Sequence, residues 1–274
     1  MAHKAGDAGH PGRMTFAVVT GASSGIGYEL ARQLAEHGYD LLIIAEDEGI
    51  EEAAADLRRD GRNQVTAVRA DLADRAGVAQ AWAAVEATGR DVEVLALNAG
   101  RGIGGEFVGG TELADELNVI DVNVTSTVHL AKLALPGMVA RGSGRVLFTS
   151  SIASMMPGTY QAVYNASKSF VQSFAEAVRA ELKDTGVTVT ALMPGPTETN
   201  FFHRAEMDDT RVGSSPKDDP AQVAEQGIRA LLEGREKVNA GSLKTRAQAV
   251  ASKVMPDSAK AEMHRRMAEP GSGS

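Results

Sequence analysis

Short apolar runs rich in Val, Ile and Leu recur along the chain, separated by longer stretches whose apolar positions repeat at helical spacing. The runs at 16–20, 40–45, 64–70, 92–98, 144–150, 188–194 and, more weakly, 237–240 predict strands. The stretches 25–36, 50–59, 73–87, 113–140, 160–184 and 221–232 predict helices. Several strand runs, such as "LLIIA" from Leu41 and "VLAL" from Val94, are apolar at every position. A strand reads this way when helices cover both of its faces. The alternation therefore predicts an α/β fold, a doubly wound parallel sheet of about seven strands with helices on both faces. No fixed repeat and no Pro/Ser-rich linker interrupts it, which favours a single domain over 14–268 with a helical extension from about 242. Flexible tails are expected at 1–13 and at 269–274, the terminal "EPGSGS".

Charge and composition narrow the chemistry. The 274 residues carry 28 Lys+Arg against 36 Asp+Glu, a formal charge of −8, with no run of basic residues. Phosphate backbones are bound by concentrated positive charge, so no nucleic-acid partner is expected. The apolar runs fall far short of the roughly 18 residues that span a bilayer. The first residues have no apolar stretch of the kind a secretory leader needs, and a cytoplasmic protein without a membrane span is expected. Cys 0 removes disulfides, thiolate metal sites and cysteine nucleophiles. His37, His129, His203 and His264 show no metal-ligand spacing, so no metal is expected and none of these histidines is assigned a role. The chemistry must then use oxygen and nitrogen groups. The outlying count is Gly 29, about one residue in nine, where roughly 7% is ordinary.

The most informative of these glycines follow the first strand, in "TGASSGIG" at Thr20–Gly27, just before the helical "YELARQLAEHG". In a strand-to-helix turn Gly21 can take the tight backbone geometry, Gly25 can let the main chain approach a pyrophosphate, and Gly27 can let helix and strand pack closely. The helix N-terminus adds N–H groups and a positive dipole end for phosphates. Glycines alone are equally what an ordinary turn requires. The spacing TGxxxGxG in this context, however, resembles the short-chain dehydrogenase/reductase family, whose fold is of the Rossmann type, and further matches extend over about residues 15–240. The resemblance implies a cofactor site in which Ser23, Ser24 and Ile26 join the three glycines. It places Asp71 and Leu72 of "ADL" at the adenine ring, and Asn98, Ala99 and Gly100 of "LNAG" after the fourth strand, with Leu97 replacing the family's first Asn. "MPGPTET" matches the family's PGxVxT with Thr197 in place of Val. There Thr199 would hold the nicotinamide carboxamide while Pro194 and Gly195 turn the chain beneath the ring.

The end of the second strand should choose between the dinucleotides, because an acid there favours a free ribose 2′-hydroxyl and a base accommodates a 2′-phosphate. "LLIIAEDE" puts Ala45 where NAD-selective relatives usually carry Asp, and Glu46 where NADP-selective ones usually carry Arg. Glu46, with Asp47 and Glu48 beside it, would repel the extra phosphate, and Ser23 and Ser24 bring no positive charge. NAD is the expected cofactor and NADP the alternative.

"YNASK" sets Tyr164 and Lys168 four residues apart, on one face of a helix. A free tyrosine titrates near pH ~10, and a neighbouring cation lowers that value. Lys168 is thus expected to bring Tyr164 toward the range useful for general acid–base catalysis. The resemblance adds that Lys168 also binds the nicotinamide ribose. It further implies that Ser151, at the family's usual distance before the tyrosine, fixes the substrate oxygen, with Ser150 and Ser154 as competing serines. Asn123, in "IDVNVTS", would hold a water that continues the proton path.

These matches together imply an NAD(P)-dependent oxidoreductase interconverting a secondary alcohol and a ketone or aldehyde. A dinucleotide-sensing protein without catalysis is the alternative, and it would be expected to lack the Tyr or the Lys. The substrate walls are expected from 101–108, 152–163 and the segment after Thr199. Ile152, Met155, Met156, Phe201, Phe202 and Met207 suggest an apolar pocket for a lipophilic carbonyl compound, and no paired basic residues mark a phosphate or CoA tail. The family's dimers and tetramers imply a homodimer or homotetramer built on the fourth and fifth helices.

Overall fold

A computed structural model describes residues 15–59, 61–243, 245, 247 and 255–273. The chain opens with β1 (Phe16–Thr20), α1 (Gly25–Glu36), β2 (Asp40–Ala45), α2 (Gly49–Leu57), β3 (Val65–Arg69), α3 (Arg75–Ala87) and β4 (Val94–Leu97). Then come α4 (Leu113–Ile120), a π-helical turn at Asp121–Thr125, α5 (Ser126–Arg141), β5 (Gly144–Thr149), a 3₁₀ turn at Ile152–Met155, α6 (Ala162–Glu181) and β6 (Val187–Pro194). The last elements are α7 (Phe201–Arg204), α8 (Arg211–Ser214), α9 (Pro220–Leu232), β7 (Lys237–Ala240) and α10 (Asp257–Ala268).

Backbone groups in apolar strands must find partners within the protein, and the seven strands do so in one parallel sheet of order β3-β2-β1-β4-β5-β6-β7. Alternate residues along a strand face opposite sides. Phe16, Val18, Leu42, Ile44, Leu95 and Phe148 accordingly join one core layer with residues of α3, α5 and α6. Their neighbours Ala17, Val19, Leu41, Ile43, Val94 and Leu147 join the other with α1, α2 and α9. This two-sided burial is why the strand runs are continuously apolar. The order reverses between β1 and β4, which opens a crevice at the carboxyl ends of the strands. Among the described residues no helix is long and apolar enough to cross a membrane.

Three expectations change. The single helix expected at 113–140 is broken by the π-helical turn around Asn123. The helix expected from 160 begins at Ala162, because Tyr160 takes a left-handed conformation with φ +65° that a helix cannot contain. The terminal segment from Glu269, expected to be loose, is tied to the chain ahead of α8 as far as Gly273: the Gly271 and Gly273 N–H groups donate to the Asp209 side chain and carbonyl at 2.8 Å each. Residues 1–13 and most of "AQAVASKVM" lie outside the described residues, whereas "DSAKAEMHRRM" forms most of α10.

Candidate active site

The turn after β1 is compact because its glycines remove side chains. Gly21 has φ +66°, and a Cβ there would stand 2.8 Å from Ala99 Cα. A Cβ at Gly27 would overlap the Gly21 carbonyl oxygen. α1 therefore starts pressed against the strand end. Ser24 precedes it in extended conformation without a side-chain cap bond, and no acid occupies the first turn. Its first N–H groups and dipole are thus available to an anion. Next to the turn, Thr20 Oγ1 accepts from the N–H groups of Asn98 and Ala99 at 3.0 Å each. Asn98 donates to the Thr20 and Gly21 carbonyls and accepts from Thr149 Oγ1 at 3.1 Å. Leu97, where the family pattern has Asn, belongs to the core. A Cβ at Gly100 would stand 3.1 Å from Lys168 Nζ, so glycine there leaves room beside the lysine.

Ser151, two residues past β5, is extended and begins the 3₁₀ turn; its Oγ accepts from the Ala153 N–H at 3.1 Å and donates to the Pro194 carbonyl at 3.4 Å, and it lines the same cleft as Tyr164. The rival serines have structural tasks: Ser150 donates to the Lys168 carbonyl and Ser154 to the Ser151 carbonyl. Lys168 Nζ donates to the Thr149 carbonyl at 3.0 Å and lies 5.9 Å from the Tyr164 ring centroid. Burial pushes Tyr164 up to about 12, opposed only by the nearby Ser151 hydroxyl, and pushes Lys168 down to about 8. The expectation that the lysine lowers the tyrosine is therefore corrected for this state, because desolvation of the phenolate outweighs the other influences.

Asn123 sits in the π-helical turn, an irregularity common at functional sites. Its amide accepts from the Arg101 N–H at 2.8 Å and donates to the Arg101 carbonyl and to Ser167 Oγ. The side chain thus pins the Gly100–Arg101 corner against α6, so any water it helps to hold must be met by other atoms.

All the expected catalytic and cofactor-binding residues except Asn123 line one cleft of 490 Å³, with Asn123 bonded to its wall at Arg101. Glu46 is at its margin, and Asp47 comes closer than expected, accepting from Ser23 Oγ at 2.7 Å. Glu48 turns away to pair with Arg69. Asp71 accepts from the Ala73 N–H at 2.9 Å while Leu72 is buried. Thr197 Oγ1 is spent on the Gly195 carbonyl, and Thr199 Oγ1 accepts from the Phe201 N–H. Ile152, Met156, Phe201 and Phe202 line the cleft, and the Phe201 ring stands 5.1 Å from that of Tyr164. Met155 and Met207 do not: Met155 lines a separate surface cavity, and Met207 fills a small core with Ala205 and Ala268.

The expected wall segments also bring in residues that were not singled out: Arg101 from 101–108 and Arg204 and Arg211 from the segment after Thr199 converge on the cleft although no two are adjacent in the chain. Asp218 holds the loop after β7 by accepting from Thr245 Oγ1 and the Ser242 N–H. Gln161, inside the expected 152–163 wall, also lines the cleft, as does His264, which lies in no expected wall segment and belongs to no motif.

The model for the short chain dehydrogenase family matches residues 15–210. The NADP-dependent 3-hydroxy acid dehydrogenase YdfG of Salmonella typhi is 32% identical over 216 residues, covering 78% of this chain and 86% of that protein. Among solved structures, a short-chain dehydrogenase from Sphingobium yanoikuyae in complex with NADPH superposes with TM-score 0.76 at 27% identity, covering 88% of this chain and 93% of that one. A short chain dehydrogenase/reductase from Burkholderia phymatum in complex with NAD gives TM-score 0.77 at 27% identity, over 87% and 91%. The matched span carries the glycine turn, the Ser151–Tyr164–Lys168 group and the strand order of the sheet together, and the chain belongs to the short chain dehydrogenase family of oxidoreductases.

Proposed function

We propose that the protein interconverts a secondary alcohol and a ketone or aldehyde with a nicotinamide dinucleotide, Tyr164 acting as the general acid/base. The observation that carries this reading is the convergence of Ser151, Tyr164 and Lys168 on one cleft that runs without interruption to the glycine turn. The glycine turn, the uncapped start of α1 and the open corner at Gly100 fit a dinucleotide, which supplies or accepts the hydride when bound.

The residues divide the remaining work. Ser151 receives the substrate oxygen and fixes its direction. Tyr164 keeps its proton through neutrality and donates it as that oxygen gains charge, which suits carbonyl reduction at neutral pH. Lys168, still cationic at neutral pH, stabilises the phenolate that remains. Tyr164→Phe is expected to abolish turnover across a panel of ketones, read from nicotinamide absorbance, while cofactor binding persists. Substantial residual turnover in that variant overturns the assignment.

Preference for NAD follows from Glu46 at the cleft margin and from Asp47, both of which would face an added 2′-phosphate with like charge. Arg204 stands 3.8 Å from Asp47, and Arg69 donates to the Glu46 carbonyl at 3.0 Å, so cations oppose these acids and the comparison of kcat/KM between NADH and NADPH is the deciding measurement. A clear advantage for NADPH would refute the preference and leave the reaction class intact.

A further inference from the structure

The cleft has a polar subsite apart from the reacting groups. Gln161, three residues before Tyr164, is 7% exposed and lines the cleft, and its Nε2 is buried with no hydrogen-bond partner. An amide donor left so is costly, and a ligand that accepts from it recovers that cost. His264 of α10 is 6% exposed and lines the same cleft. Its Nδ1 lies 2.9 Å from the Thr159 carbonyl. A carbonyl only accepts, so Nδ1 carries the hydrogen, and burial holds the ring neutral. Nε2 is then an acceptor.

Both side chains are anchored on one turn. The Gln161 N–H donates to the Gly158 carbonyl at 2.9 Å, and Thr159 carries the carbonyl that fixes His264. Between them Tyr160 is held at φ +65°. That conformation costs free energy in a residue with a Cβ. It is secured by the Gly105 N–H on the Tyr160 carbonyl and by the ring's packing on Phe202 and Ala268. Thr159 Oγ1 donates to the Ala261 carbonyl, tying α10 to the same turn.

We propose that Gln161 Nε2 and His264 Nε2 receive a second hydroxyl of the substrate, so that the substrate is an apolar ketone, or the matching diol, with a hydroxyl remote from the reacting carbon. A hydroxyl accepts from the amide and donates to the imidazole with one oxygen atom. A ketone or carboxylate only accepts and leaves the imidazole unanswered. The neighbouring walls, Ile152, Met156, Phe201 and Met267, offer apolar contact to the rest of the molecule.

The inference rests on the alcohol–carbonyl reading, and its test separates the two. Pairs of alicyclic ketones, each with and without a ring hydroxyl at successive positions, are assayed with the wild type, Gln161→Met and His264→Phe. For at least one hydroxyl position the wild type should favour the hydroxy ketone by roughly tenfold or more in kcat/KM. Each variant should reduce that ratio toward one, mainly through KM, and the double variant should lose little more than either alone. The same pairs are titrated calorimetrically into the Tyr164→Phe enzyme with cofactor, where affinity is read without turnover. Equal affinity for both members of every pair, or a ratio that survives both substitutions, overturns the subsite. Absence of nicotinamide turnover with every ketone overturns the alcohol–carbonyl reading instead, and a hydroxyl preference in calorimetry would still stand.

Discussion

Lys168 is a charged group in a dry place. It is 5% exposed, its ammonium donates to the Thr149 carbonyl, and burial alone draws its pKa from 10.5 to about 8. That displacement corresponds to about 3 kcal/mol against the folded state. The folded value is below the unfolded one, so the unfolded chain binds more protons between about pH 8 and 10.5. The penalty is complete below about pH 8 and is relieved as pH rises through that window. Lys168→Met removes the charge but also the bond to Thr149, which is worth about 1–2 kcal/mol. The variant should therefore lose turnover yet melt several degrees higher than the wild type at pH 7, and the gap should close toward pH 10. Tyr164, displaced the other way, affects both proteins alike. Scanning calorimetry across this pH range checks the sign; a variant that melts lower at pH 7, or an advantage that does not change with pH, contradicts the account.

At the scale of elements, two helical glycines serve opposite ends. A methyl at Gly27 would overlap the Gly21 carbonyl and crowd Asn98, so α1 would have to leave the strand. Gly27→Ala should cost roughly 3 kcal/mol or more and abolish cofactor binding. Gly137, inside α5, would bring a methyl only to the movable end of Arg141 at 3.2 Å. Gly137→Ala should stabilise by about 0.5–1 kcal/mol. Urea denaturation of both variants reads the two signs. The same contrast shows what the sequence could reveal. Gly27 was legible because strand, turn and helix are consecutive, and the sheet was legible because runs such as Asp40–Ala45 are buried on both faces. The π-helical turn at Asn123 and the left-handed Tyr160 were not, since each is imposed by partners distant in the chain, Arg101 and Ser167 for one and Gly105 for the other. Lys168 was found next to Tyr164 by spacing, but spacing says nothing about how dry the cleft is. His264 meets Thr159 across more than a hundred residues, a contact that periodicity cannot register.

Across the whole molecule, the sheet buries its two faces, yet the outer sides of α4, α5 and α6 keep apolar residues in solvent: Leu113, Leu117, Ile120, Leu133, Val139 and Phe170 are all exposed. Single exposed apolar residues are ordinary, but a set shared by neighbouring helices marks an interaction surface. α4 and α6 pack on each other, and Phe170 stacks on Phe174 with ring centroids 5.9 Å apart, which extends the apolar area toward the core. A net charge of −8 would hold copies apart if these helices were polar. Burying the apolar strip against its own copy by two-fold symmetry removes it from water, and closed symmetric pairs are the commonest outcome of such a surface. Light scattering after gel filtration should therefore show the wild type as a dimer or tetramer at micromolar concentration. Leu117→Glu combined with Phe170→Glu should yield a monomer whose circular dichroism is unchanged, because both side chains are exposed to solvent. A wild type that runs as a monomer, or a double variant that still associates, would place the contact elsewhere and leave these helices to face water.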